Sequence, residues 1–385
     1  MHMNLSSKKR TLMIGILAAA LGLGTQMLAA PATLEAKASF DVFDFEPHRG
    51  GRDARPENTL YSYAYAMELG ATSIECDMQL TSDGHIVMSH NPILNPDITR
   101  DASGNYVPKG TYDIRRMTLD EIKQFDVGVM DPKNGEYYKL HGKTQVTHDA
   151  KIPTLEELME LIRDYGDQDV YLNIETKSYP DPEMGDAYTY NANTQKFVET
   201  FNRIVQQYGM EDRVVLQSFD WNTLAAMKKL NPRISLSALW QEQPSWGHSA
   251  ESLRAFEQEK SPWLGGLDIK DFKGDPVKAA HAIGADVISP YYPELSKQQV
   301  EEAHQLGMKV VPWTVNDEKD MHMLLDMGVD GIISDKPWIL RSVLEKRGVK
   351  LRTPAVNVKS PYHLNKDHVE QKDEHKVKGG ADAAY

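Results

Sequence analysis

Only one cysteine, Cys76, stands among 385 residues, so no internal disulfide can form and stability must come from a packed core. Positive charge is also short. The chain has 43 Lys and Arg against 56 Asp and Glu, a net charge of −13 with histidine neutral. Such a surface repels phosphate backbones and anionic lipid headgroups, which excludes nucleic acid or an anionic membrane as the main partner. What remains is ordinary for a globular chain. With 41% hydrophobic and 26% charged residues, a fibrous or wholly disordered polypeptide is excluded and a sizeable core is possible.

The first residues read MHMNLSSKKR and then TLMIGILAAALGLGTQMLAA: a basic stretch, an apolar run and small residues, the pattern of an export signal. Residues 1–38 are expected to be removed after Ala38, with Ala32 as the alternative cleavage point. The competing reading is an uncleaved anchor, because the apolar run approaches bilayer-spanning length. No cysteine follows the run, so nothing invites lipid attachment. Removal takes away Lys8, Lys9, Arg10, Lys37 and Glu35, three net positive charges, and moves the chain from −13 to −16. The expected location is the periplasm or the medium, without stable membrane association.

One local pattern recurs: an amphipathic helix closes on glycine, and a β-branched strand follows within one or two residues. It occurs at 69–77, 283–290, 306–313 and 327–335, with Gly70, Gly284, Gly307 and Gly328 at the helix ends. The last three glycines are 23 and 21 residues apart, room for one strand, one loop and one helix, so these strands run parallel. Further strands are expected at 42–47, 85–90, 170–175, 213–219 and 233–240, most of them apolar on both faces. Thr154 with Glu157, and Thr118 with Glu121, mark capped helix starts. The expected fold is an α/β TIM (β/α)8 barrel over residues 39–354, with an open doubly wound sheet as the alternative. Residues 91–150 break the rhythm and read as an insertion over the catalytic mouth, with one helix near Leu119–Phe125. A second irregular region spans 241–265, with Trp240, Trp246 and Trp263. Residues 355–385 form a polar tail expected to be disordered.

In such a barrel the C-terminal strand tips line the mouth. They carry His48 and Arg49 beside Gly50 and Gly51, then Glu75 and Asp77, then His90, then Glu175 and Lys177. Glu75 and Asp77 lie two apart on a strand, so both leave one face while Cys76 leaves the other. Two carboxylates in one space repel unless a cation lies between them. A divalent ion with oxygen ligands fits, and Glu175 adds a third donor. The competing reading pairs these acids with Arg49, Arg52 or Lys177 at the rim. His48 and His90 suit acid–base work better than ligation of Ca²⁺ or Mg²⁺, which prefer oxygen. The fork of Arg49 and the ammonium of Lys177 suit a phosphate's non-bridging oxygens, so the set describes phosphoryl transfer.

These residues resemble the glycerophosphodiester phosphodiesterase family. The likeness is carried by His48-Arg49-Gly50, Glu57-Asn58-Thr59, Glu75-x-Asp77, His90, Ile152-Pro153-Thr154-Leu155-Glu156-Glu157 and Glu175-Thr176-Lys177. It continues through Gln217-Ser218-Phe219, Trp313-Thr314-Val315-Asn316 and 328–335, and spans about residues 42–340. The resemblance implies a TIM barrel with an insertion after its second segment. It also implies hydrolysis of glycerophosphodiesters to sn-glycerol 3-phosphate and an alcohol. Glu75, Asp77 and Glu175 would hold Ca²⁺ or Mg²⁺, with Ca²⁺ placed first, His48 and His90 would serve as the acid/base pair, with His48 read as the base and His90 as the acid, and Arg49 and Lys177 would grip phosphate. Thr176 replaces a commoner Ile and Ser334 a commoner Thr, neither touching the chemistry. Phe219 and Trp313 are assigned to an apolar wall against the glycerol carbons, with core packing as the alternative. Asn58 is assigned to Arg49 or a metal-bound water, with helix capping as the alternative. Two other functions share these features: a phospholipase-type enzyme at a lipid surface, and an inactive binding protein for the same diesters.

Overall fold

The computed structural model describes residues 42–133, 135–180, 194–241 and 261–363. The expected signal, Trp246 and the last part of the polar tail lie outside them. Eight parallel strands follow one another: β1 Asp44–Pro47, β2 Ser73–Leu80, β4 Tyr171–Thr176, β5 Val214–Ser218, β6 Ser235–Trp240, β7 Val287–Pro290, β8 Lys309–Val310 and β9 Gly331–Ser334. Between them run α1 Leu60–Glu68, α4 Leu155–Tyr165, α5 Thr194–Tyr208, α6 Trp221–Leu230, α7 Pro276–Ile283, α8 Lys297–Gln305 and α9 Glu318–Met327, and α10 Pro337–Lys346 follows β9. A continuous parallel ladder joins β2, β4, β5, β6, β7 and β8, and a second joins β9 to β1. Backbone bonds bridge the two seams, from Thr72 N–H to Phe45 O (3.0 Å) at one, and from Asp330 N–H to Val310 O (2.9 Å) and Ile333 N–H to Pro312 O (3.0 Å) at the other. The first and last strands are thus partners, which makes the fold a (β/α)8 barrel and sets the open sheet aside.

The local signals do what their chemistry requires. Gly70, Gly284, Gly307 and Gly328 all have positive φ, the left-handed conformation that ends a helix and turns the chain into the next strand. Thr154 and Thr118 each form a capping box with the glutamate three residues on, opening α4 and the short α2 Leu119–Ile122. At Gly331 an added Cβ would lie 2.5 Å from Asp44 Cβ, so the absence of a side chain lets β9 press against β1.

Two expectations are corrected. The segment 85–90 is not a barrel strand: β3 Ile86–Met88 pairs antiparallel with β2, Met88 opposite Met78 and Ile86 opposite Leu80. The five residues 81–85 suffice for a hairpin but fall far short of a parallel crossover, which needs about a dozen. Nor are the strands apolar on both faces. Outward residues such as Phe45, Ile74, Cys76, Leu172, Ile174 and Leu216 are fully buried against the helices, and each large aliphatic contributes roughly 1.5–3 kcal/mol. Many inward residues are polar. Ser73 Oγ donates to Asp44 Oδ1 (2.6 Å), and Asn173 Nδ2 donates to Glu46 Oε2 (2.9 Å) and Gln217 Oε1 (3.0 Å). Since β1 and β4 are not neighbours, these groups meet inside the ring, where they satisfy one another.

Part of the segment 91–150 packs on its own apolar cluster, in which Leu94, Val107, Ile114, Ile122, Phe125 and Val127 join Val87 and Ile152. Its α3 Gly135–His141 and the residues after it are tied to the loop that follows β1. Tyr137 Oη donates to Glu57 Oε2 (2.7 Å), Gln145 Nε2 to Arg52 O (2.5 Å), and Val146 N–H to Ala54 O (3.0 Å), while His141 hydrogen-bonds Asp53. Residues 355–363 run across α1: Ala355 N–H donates to Met67 O (3.0 Å) and His363 Nδ1 lies 2.7 Å from Glu68 Oε1. No helix of the described residues is long and apolar enough to cross a membrane.

Candidate active site

Beyond β1 the chain enters a tight turn, His48–Gly50, capped by Gly51, and Arg49, Gly50 and Gly51 all have positive φ. For Arg49 (φ 50°, ψ 34°) that conformation costs on the order of 1–3 kcal/mol. At Gly50 a Cβ would lie 2.5 Å from Ser62 Oγ. The turn aims Arg49 N–H at Glu75 Oε2 (2.8 Å) and leaves its guanidinium between Glu57 Oε1 (3.0 Å from Nη1) and Asp77 Oδ2 (3.3 Å from Nε).

Register brings the acids together. Asp77 sits opposite Glu175 across the β2–β4 ladder, with Glu75 one inward position deeper. Glu75, Asp77 and Glu175 are all buried and offer oxygens within 4.8 Å of one another. Lys177 Nζ stands beside them, 2.8 Å from Glu175 Oε1 and 3.2 Å from Asp77 Oδ1. Asn58, at φ 51°, turns to Asp77 rather than to Arg49's side chain. Its Nδ2 donates to Asp77 Oδ2 (2.8 Å), and its Oδ1 accepts from Asp77 N–H (3.1 Å) and Tyr63 Oη (3.0 Å). The helix cap belongs instead to Thr59.

Burial, then repulsion from Asp77, holds the Glu75 carboxyl well above the usual carboxylate range, against the pull of Arg49 N–H. Glu175 is pushed up to about 7 by burial, with Lys177 opposing and Asp77 adding. Asp77 goes the other way, since Lys177, His90 and Arg49 outweigh its burial. Ion pairing at the rim is therefore real but incomplete: three buried acids share two cations. Asp77 Oδ1 accepts no hydrogen bond, with the Lys177 ammonium 3.2 Å away. A hard divalent cation suits this all-oxygen set, so the residues fit a metal.

The two histidines arrive by different routes. His48 Nδ1 lies 2.6 Å from Asp335 Oδ1, and its Nε2 lies 3.8 Å from Glu75 Oε2. His90 follows the return strand β3, where Ser89 N–H donates to Asp77 O (3.0 Å), and its Nδ1 lies 2.6 Å from Asn91 Oδ1. Burial, followed by the charges of Arg49 and Lys177, holds its imidazole well below the ordinary value. One pocket collects His48, His90, Arg49, Lys177, Glu75 and Glu175, walled by Phe219 and Trp313. Those two rings meet edge to face, 5.5 Å apart at 88°.

Sequence reasoning assigned no role to Asp335, Asn316 or Glu57, although all three stand in the quoted motifs. Asp335 directly follows β9, and the strand-tip rule applied to the other acids singles it out equally. Tyr137 carried no signal, because it reaches Glu57 from 80 positions away.

The sequence profile of the glycerophosphoryl diester phosphodiesterase family matches residues 48–338. A glycerophosphodiester phosphodiesterase of Caldanaerobacter subterraneus is 33% identical over 305 residues, 78% of this chain and 97% of the relative. Among solved structures, a putative glycerophosphoryl diester phosphodiesterase from Silicibacter pomeroyi superposes with TM-score 0.69 at 31% identity, covering 83% of this chain and 97% of that one. A phosphodiesterase from Oleispira antarctica, solved with the product sn-glycerol-3-phosphate, shares the fold at TM-score 0.56 and 22% identity, covering 79% of this chain and 97% of that one.

Proposed function

Because this chain belongs to the glycerophosphodiester phosphodiesterase family and is a phosphoric diester hydrolase, we propose that it cleaves glycerophosphodiesters to sn-glycerol 3-phosphate and an alcohol by metal-assisted acid–base catalysis. The product bound by the Oleispira relative supports the identity of the phosphate fragment. The observation that carries the reading is the convergence of Glu75, Glu175, two imidazoles, Arg49 and Lys177 on one pocket with an aromatic wall, with Asp77 completing the cluster of acids behind it.

Glu75, Asp77 and Glu175 would hold a divalent cation, Ca²⁺ ahead of Mg²⁺, which when bound withdraws charge from a phosphate oxygen. Arg49 and Lys177 bind the anionic phosphodiester and fix its orientation. His48 takes the proton of the attacking hydroxyl as its oxygen bonds to phosphorus. His90 returns a proton to the departing alkoxide as the opposite P–O bond breaks. Phe219 and Trp313 keep the glycerol carbons on one side of the pocket and exclude water.

Dialysis against EDTA, followed by an assay of glycerol 3-phosphate released from glycerophosphocholine, tests the metal. Turnover is expected to fall at least 100-fold and to return with Ca²⁺ more fully than with Mg²⁺. Full turnover in excess chelator would discard the metal. Export belongs to the same proposal: N-terminal sequencing of the extracytoplasmic protein should begin at Ser39 or Thr33.

A further inference from the structure

The parallel register of β1 and β9 sets Pro47 opposite Ser334, so the next residues on each strand, His48 and Asp335, leave the ladder side by side. Asp335 is 3% exposed, and donors surround its carboxylate. Oδ1 faces His48 Nδ1 (2.6 Å) and accepts from Arg52 Nε (2.6 Å). Oδ2 accepts from Arg52 Nη2 (3.2 Å) and Asn316 Nδ2 (2.8 Å). Asn316 is held in return, its Oδ1 accepting from Asp335 N–H (2.9 Å) and Ser334 Oγ (3.2 Å). Although burial pushes this carboxyl up, Arg52 and His48 bring it well below the usual range.

A carboxylate enclosed by donors only accepts hydrogen bonds. The proton between it and His48 must therefore sit on the imidazole's Nδ1, and in the neutral ring that leaves Nε2 as the bare nitrogen facing the pocket. We infer that Asp335, braced by Arg52 and Asn316, is the positioning residue that fixes the tautomer and aim of His48 and so makes it the proton acceptor. This rests on the reading of His48 as base. The attacking hydroxyl loses its proton to Nε2, the Nδ1 proton stays on the ring, and Asp335 stays ionised beside the imidazolium it stabilises. Arg52 acts through Asp335 alone in this scheme, holding the carboxylate in plane with its two-pronged contact.

The tautomer itself is read in the unmutated protein. In ¹⁵N-histidine-labelled, metal-loaded wild-type protein, the His48 resonances, assigned by loss in His48→Ala, should show a protonated Nδ1 and a bare Nε2. The reverse tautomer would overturn the inference. Kinetics supply the second arm. Asp335→Asn should lower kcat by between about 10²- and 10⁴-fold on glycerophosphocholine while KM moves less than about threefold. His48→Ala with Asp335→Asn should be no slower than His48→Ala alone, because the carboxylate acts only through the ring. Losses that multiply in the double variant would overturn the positioning role. If His48→Ala abolishes turnover and a folded Asp335→Asn keeps it, positioning alone falls. If His48→Ala itself turns over normally, the base reading falls first and the inference with it.

Discussion

The two ends of the pocket hold their imidazoles in opposite ways. At the β1–β9 end, His48 leans on a carboxylate that Arg52 and Asn316 hold in place and keep anionic. At the β2–β3 end, His90 leans on the neutral amide of Asn91, with the cations of Arg49 and Lys177 pressing against protonation. In the proposed mechanism the first ring receives a proton and the second gives one up. The difference teaches what such an assignment of acid and base would rest on: the charge behind each ring rather than the ring itself.

Changing the leaving group tests that contrast most strongly. His48→Ala and His90→Ala should each lower kcat on glycerophosphocholine by about 10²–10⁴-fold. With a p-nitrophenyl diester, whose alkoxide needs no protonation, His90→Ala should recover most of its loss and His48→Ala almost none. Equal recovery of both variants would break the assignment.

Proton linkage gives a smaller effect. In the free enzyme His90 is neutral at pH 7, because burial and two cations lower its value. A diester anion lodged between Arg49 and Lys177 offsets those cations and raises that value, so binding should draw in a proton. In an inactive His48→Ala background, calorimetry in buffers of different ionisation heat should show uptake of up to about one proton at pH 7 with glycerophosphocholine. Affinity should strengthen as pH falls toward 6. Uptake that persists in His48→Ala with His90→Ala would assign the proton elsewhere.

The smallest effect is expected behind His90. Asn91→Ala removes a neutral hydrogen bond, worth about 1 kcal/mol, and should cost less than about tenfold in kcat. That is well below the cost of Asp335→Asn at the other end. A loss as large as Asp335→Asn would erase the contrast between charged and neutral support.

Much of this was legible in the residue order. Helix-ending glycines announced the αβ joints, and the strand-tip rule placed His48, Glu75, Asp77, Glu175 and Lys177 at one mouth. Strand alternation separated Glu75 and Asp77 from Cys76, which is fully buried on the other face. Other features escaped for physical reasons. The segment at 85–90 has a barrel strand's composition, and only the short turn before it forces the antiparallel return that carries His90 beside Asp77. The polar barrel interior escaped because Asp44, Glu46, Asn173 and Gln217 read as isolated interruptions until the ring brings them into contact.

What the sequence by itself determined is everything set by neighbours a few positions apart: helix ends, caps, strand faces and the residues at each tip. Those depend on backbone conformation and side-chain alternation, which are local. What only the tertiary structure decided is which atom faces which. Asp335 reaches His48 across 287 positions, and Glu57 receives Tyr137 across 80. Such pairings exist only once the β1–β9 ladder and the packed insertion have brought distant segments of the chain together, so no local pattern encodes them.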